Sequence, residues 1–151
     1  MYPCQDVVRL GGVPRRGLVG FLTLQEAYGY YEVGDYYKSP QVPVWVVYSE
    51  SHYSVLFSTE ARLLDGERKA PCGVEECVSQ AAGTSQAFDL YYWDMLANQD
   101  ETIRMTVTPS QKDDELPDID DKYSLIPPLD LVIRTKWPGH VVNWNGTDAI
   151  L

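Results

Sequence analysis

Two stretches of β-branched and aromatic residues, 44–48 (VWVVY) and 52–58 (HYSVLFS), are separated only by Ser49, Glu50 and Ser51. So short a polar gap between two such runs reads as a β-hairpin. It fixes the class of fold that the rest of the chain must complete. Residues 88–94 (FDLYYWD) read as a third strand. Residues 103–108, alternating Ile, Met and Val with Arg and Thr, read as a half-buried fourth. Residues 129–136 are expected as a fifth strand and 141–144 as a short sixth. One helix is suggested near the start: Thr23 and Glu26 have capping-box spacing, with Gly29 and Gly34 to stop it. Pro40 and Pro43 then hold the chain extended into Val44. The expected fold is α+β and β-rich, an antiparallel sheet with little helix. Such a sheet has an apolar face that must be buried against a second layer. Either the sheet closes on itself as a sandwich or barrel, or the cover lies on further polypeptide.

The chain's 151 residues suit one domain, and no period of 20–50 residues points to a repeat architecture. Twelve basic against 22 acidic residues give a net charge of −10. That excludes the basic footprint of a nucleic-acid binder and attraction to anionic lipid. The longest apolar stretch, 42–48, is far short of the ~20 residues that span a bilayer. The first residues (MYPCQD) lack a signal-peptide pattern, and three cysteines is an odd number. A reduced, cytoplasmic or nuclear and non-secreted protein is therefore expected. Two segments read as flexible loops: 60–86, rich in small and polar residues, and 110–122, where six acids stand against two lysines.

Candidate chemistry centres on His52. An imidazole at a strand's entrance, just after a tight turn, reaches a cleft while its backbone stays fixed, which suits a general base. The alternative is a hydrogen-bonded structural histidine at a sheet edge. As a base it needs an orienting partner. An antiparallel register with His52 opposite Asp94 nominates that carboxylate, with Asp89 and Asn98 as competitors. His140, in Pro138-Gly139-His140, reads as a solvent-facing turn residue. Cys4 lacks a helix to lower its pKa, and Cys72 and Cys77 lie in the small-residue loop, so none reads as a nucleophile. Their spacing matches no usual zinc pattern, and no phosphate loop or cofactor motif is present. No cofactor or metal is expected.

Longer words in the sequence are more specific. The block 42–58 (VPVWVVYSESHYSVLFS) resembles a signature of the MINDY deubiquitinases, in the branch of the third and fourth members. So do 88–94 with 96–99 (LANQ), 127–137 (PPLDLVIRTKW), 142–148 (VNWNGTD) with the terminal Ile150-Leu151, and upstream 20–24 (GFLTL) and 33–36 (VGDY). The resemblance covers about residues 18–151 and leaves 1–17 poorly matched. It implies the C-terminal half of a papain-like catalytic domain that cleaves polyubiquitin, preferring lysine-48-linked chains. It also implies that His52 is the general base. The nucleophilic cysteine and oxyanion-hole glutamine are then expected upstream on a helical half, so this chain alone is expected to be inactive and to expose apolar sheet surface. The alternative is a non-catalytic ubiquitin-binding or scaffold module derived from the enzyme.

Overall fold

The computed structural model describes residues 11–67, 86–110 and 126–149. Cys4, Cys72 and Cys77 lie outside the described residues, as do 111–122 and most of the 60–86 segment. Six strands form one sheet: β1 (Gly20–Thr23), β2 (Val44–Ser49), β3 (His52–Phe57), β4 (Phe88–Trp93), β5 (Ile103–Pro109) and β6 (His140–Asn143). Their order across the sheet is their order along the chain. The fold is β-rich with few helices, as the strand runs led us to expect.

The pairing is not wholly antiparallel. β1, which the sequence did not announce as a strand, runs parallel to β2, with Leu22 opposite Val47. A parallel neighbour requires a crossover of a dozen or more residues. Residues 24–43 supply it through two single-turn helices, α1 (Leu24–Ala27) and α2 (Asp35–Lys38). The capping box is half realised. Thr23 accepts the Gln25 amide as the N-cap, but the Glu26 carboxylate turns away to accept the Val33 amide at 3.1 Å and to meet Lys38 at 2.5 Å. Gly29 ends α1 with φ +76°, whereas Gly34 is the N-cap of α2.

The expected fifth strand is a helix, α3 (Pro128–Lys136). Pro128 at the first helical turn carries no amide to waste. Asp130 near the N-terminus and Arg134 and Lys136 near the C-terminus suit the helix dipole. Leu129, Val132 and Ile133, at i, i+3 and i+4, are fully buried. A short apolar run fits a strand or a buried helix equally well by periodicity, and here the proline decides. α3 is the cover that the sheet lacked. Its buried side chains join Leu22, Trp45, Val47, Leu56, Leu90 and Met105 from the inner face in one core. Trp45 stands edge-on to Trp137 at 5.4 Å and donates its Nε1–H to the Lys38 carbonyl at 2.8 Å.

Two further expectations change. Residues Ala61–Glu67 form a short 3-10 helix, with Leu63 in the core, so the 60–86 segment begins as packed structure. His140 is 7 % exposed, opens β6 and stands 6.0 Å from the Phe88 ring. The turn residue is Gly139, at φ +74°. No helix among the described residues is long and apolar enough to cross a membrane. The outer face of the sheet is half-buried, with cross-strand ring pairs Tyr48–Tyr53 at 4.8 Å and Phe57–Tyr91 at 5.4 Å. Because α3 is the inner layer, Ile133→Ala is expected to cost about 2–5 kcal/mol of stability, read as a lower urea midpoint at unchanged slope.

Candidate active site

Ser49 pairs directly with His52, so β2 and β3 are joined by a two-residue turn, Glu50-Ser51. Both residues have positive φ, 48° and 68°, as a type I′ hairpin turn demands. Neither is the Gly or Asn that adopts this conformation cheaply. The turn places His52 on the inner face of β3, alternating in phase with Ser54 and Leu56, with its side chain 22 % exposed.

Its partner is Asp94. His52 Nε2 lies 2.6 Å from Asp94 Oδ2. The nominated register is nevertheless shifted by two residues: Val55 pairs with Trp93 and Leu56 with Tyr92. Continued past the strand end, that ladder sets Ser54, not His52, opposite Asp94. A slip of two keeps every side chain on its own face, and a diagonal neighbour is within reach of an imidazole. The contact therefore survives the error. Asp89 sits at a position of opposite parity in β4, where it accepts the Thr106 hydroxyl at 2.8 Å and meets Arg104 at 3.4 Å. Asn98 is exposed on the connection to β5. Neither competes.

Asp94 is 5 % exposed, and its surroundings hold it at several points. Oδ1 accepts the Leu96 amide at 2.8 Å, and the Tyr92 hydroxyl lies 3.5 Å from Oδ2. Its own amide donates to Gln99 Oε1 at 2.7 Å. The sequence reading missed Gln99 in this role, since its only signal was its place in the 96–99 block. Burial works to raise the Asp94 pKa. It is outweighed by the Leu96 amide, by the hydrogen bond and charge of His52, and by the Ala97 amide, so the carboxyl titrates below its ordinary value. Burial, with the Asp94 charge adding to it, pushes the Tyr92 phenol up to about 12. It therefore stays a neutral O–H that can donate to Asp94.

These contacts fix the chemistry of the imidazole. A carboxylate only accepts, so Nε2 carries a proton, and in the neutral ring the lone pair is on Nδ1. Among the described residues nothing hydrogen-bonds Nδ1. The ring is oriented and partly exposed. Among the described residues no three His, Cys, Asp or Glu side chains gather as a metal site. An open recess of about 560 Å³, lined by Glu101, Thr102, Ile103, Arg104, Asn145 and Thr147, does not include His52.

Comparison with known proteins adds to the geometry. A family model described as "Deubiquitinating enzyme MINDY-3/4, conserved domain" matches residues 3–146. "Probable ubiquitin carboxyl-terminal hydrolase MINDY-4" of Homo sapiens is 45 % identical over 146 residues, which is 97 % of this chain and 17 % of that protein. "Ubiquitin carboxyl-terminal hydrolase MINDY-3 homolog" of Drosophila melanogaster is 42 % identical over 71 residues, 46 % of this chain and 13 % of its own length. Human "Ubiquitin carboxyl-terminal hydrolase MINDY-3" is 45 % identical over 60 residues, 40 % of this chain and 14 % of its own length. The chain thus spans about one-sixth of the length of the MINDY-4 relatives it matches. No solved structure matches.

Two measurements check the site. The Asp94 carboxyl is depressed in the folded state, so its stabilising contribution is present above the unfolded value near pH 4 and is lost as pH falls through the folded value. Asp94→Asn is therefore expected to lower the unfolding free energy at pH 7, with a gap from wild type that narrows by pH 3. Replacing Glu50-Ser51 with Asn-Gly removes two unfavourable backbone conformations and is expected to stabilise the protein by roughly 1–2 kcal/mol, read by chemical denaturation.

Proposed function

The chain belongs to the MINDY-3/4 family of deubiquitinating enzymes, and we propose that it carries the general-base half of a thiol isopeptidase site that cleaves lysine-48-linked polyubiquitin. The observation that supports this reading most is the His52–Asp94 pair, 2.6 Å long, at the end of the sheet, with no hydrogen bond to Nδ1 among the described residues. In this reading His52 Nδ1 takes the proton from a cysteine thiol, and the thiolate attacks the isopeptide carbonyl carbon. The carbon–nitrogen bond then breaks. The imidazolium returns its proton to the departing lysine amine, leaving a thioester that water hydrolyses with His52 again acting as base. Asp94 keeps Nε2 protonated and stabilises the charged ring throughout, as the third member of such a triad does.

The nucleophile is proposed to come from polypeptide outside these 151 residues, since no sequence feature makes a nucleophile of Cys4, Cys72 or Cys77. The partners are then ubiquitin chains, met in the reducing cytoplasm or nucleus where a free thiol persists. The test uses the natural full-length polypeptide and a lysine-48-linked ubiquitin chain. His52→Gln is expected to lower kcat/KM by roughly a hundredfold to ten-thousandfold while ubiquitin binding is retained. Undiminished cleavage by that variant overturns the assignment. Saturable binding with no turnover in the wild type favours the scaffold alternative. A ubiquitin probe with an electrophilic C-terminus is expected to leave Cys4, Cys72 and Cys77 unlabelled.

A further inference from the structure

Asp94 has two oxygens and uses them for different purposes. Oδ2 holds the imidazole, and Oδ1 holds the Leu96 amide at 2.8 Å. The second bond fixes the first turn of the β4–β5 connection, and that turn presents two large apolar side chains to solvent. Met95 is 86 % exposed and Leu96 82 %. Single exposed aliphatic residues are ordinary. An adjacent pair, pinned by the same carboxylate that orients a basic imidazole, is a surface built beside the reaction centre. The exposed charges on this connection have one sign. Asp100 and Glu101 are exposed, residues 95–102 hold no Lys or Arg, and Glu50 is exposed on the turn that precedes His52. A ligand that fits both features offers aliphatic side chains to Met95 and Leu96 and basic ones to the acidic rim. It also has to be extended to lead a scissile bond to Nδ1.

We infer that the Met95-Leu96 turn is a substrate-docking element that grips an aliphatic, basic and extended peptide tail just upstream of the bond cleaved at His52. This rests on His52 being the base of an isopeptidase, and it assigns the tail of that substrate to a particular turn. Met95 and Leu96 are specificity residues in this scheme, and Asp94 is a positioning residue that couples their placement to the ring. Because the turn is tied to the carboxylate and not to the ring itself, loss of its side chains weakens binding without disturbing proton transfer.

The experiment uses the natural full-length polypeptide and a fluorogenic amide at the ubiquitin C-terminus. Met95→Ser/Leu96→Ser is expected to raise KM roughly tenfold, the size of a small interface hot spot, with kcat within about twofold of wild type. Replacing the aliphatic residues of the ubiquitin tail by serine is expected to raise KM for the wild type, and to add little for the variant. Met95 is expected to react with peroxide in the free enzyme and to be protected by saturating ubiquitin. An unchanged KM overturns the inference, as does a fall in kcat at constant KM. Protection of Met95 before any substrate is added also overturns it, because the turn is then covered by another part of the same polypeptide. His52→Ala separates this inference from the one beneath it. If that variant still turns over, the base assignment fails, and the effect of Met95→Ser/Leu96→Ser on the dissociation constant for ubiquitin still reads the turn.

Discussion

A carboxylate that is 95 % removed from solvent has to be compensated at both oxygens or it will not stay ionised. Asp94 meets that demand with an imidazole on one oxygen and a backbone amide on the other, and its own amide is held by Gln99. The site at the end of this sheet follows from that compensation. The ring cannot rotate away without leaving a buried charge half-satisfied, so its other nitrogen keeps one direction. The Tyr92 phenol, itself fully buried, reinforces the arrangement because it remains a neutral donor across the working pH range.

The sheet gives this cluster a rigid floor. Core side chains from all six strands pack with α3, and the aromatic cluster of Trp45, Trp137 and Phe88 closes one side. Lys38 ties α1, α2 and α3 together. It pairs with Glu26 at 2.5 Å and donates to the Thr135 carbonyl at 3.3 Å. The inner layer is therefore supplied within the described residues, which answers half of the layer problem. The outer face, with Val46, Val55 and Trp93 only half-buried, is the half that stays open.

Alternation carried most of what the sequence made legible. Trp45, Val47 and Ser49 on one face, and Val44, Val46 and Tyr48 on the other, follow the pleat residue by residue. The same alternation in β4 put Asp94 in phase with Leu90 and Tyr92, and it rules out Asp89 without any appeal to distance. The exact register was not legible, because only the long 58–87 connection joins the two strands and no turn chemistry fixes their offset. The true offset differs by one full pleat. α3 is not legible from periodicity, since four apolar residues in five over 129–133 satisfy either period, and only Pro128 at the first helical turn decides for the helix. β1 was missed because four residues beginning with glycine carry little strand signal; its partner β2 recruits it. Burial of His140 depends on Phe88, more than fifty residues away, and no local pattern carries that.

Strand order matching chain order has a bearing on how relatives of this protein can drift. His52, Asp94 and Ile103 all lie at one end of the sheet, where the antiparallel connections are the two-residue Glu50-Ser51 turn and the short span from Asp94 to Thr102, and where the 24–43 crossover leaves β1 beside Tyr48. Phe57, Phe88, Pro109 and His140 lie at the opposite end, from which both long connections, 58–87 and 110–139, depart. Lineages are thus free to lengthen or shorten those two excursions with no leverage on the imidazole, while a single inserted residue at the near end would dislodge it.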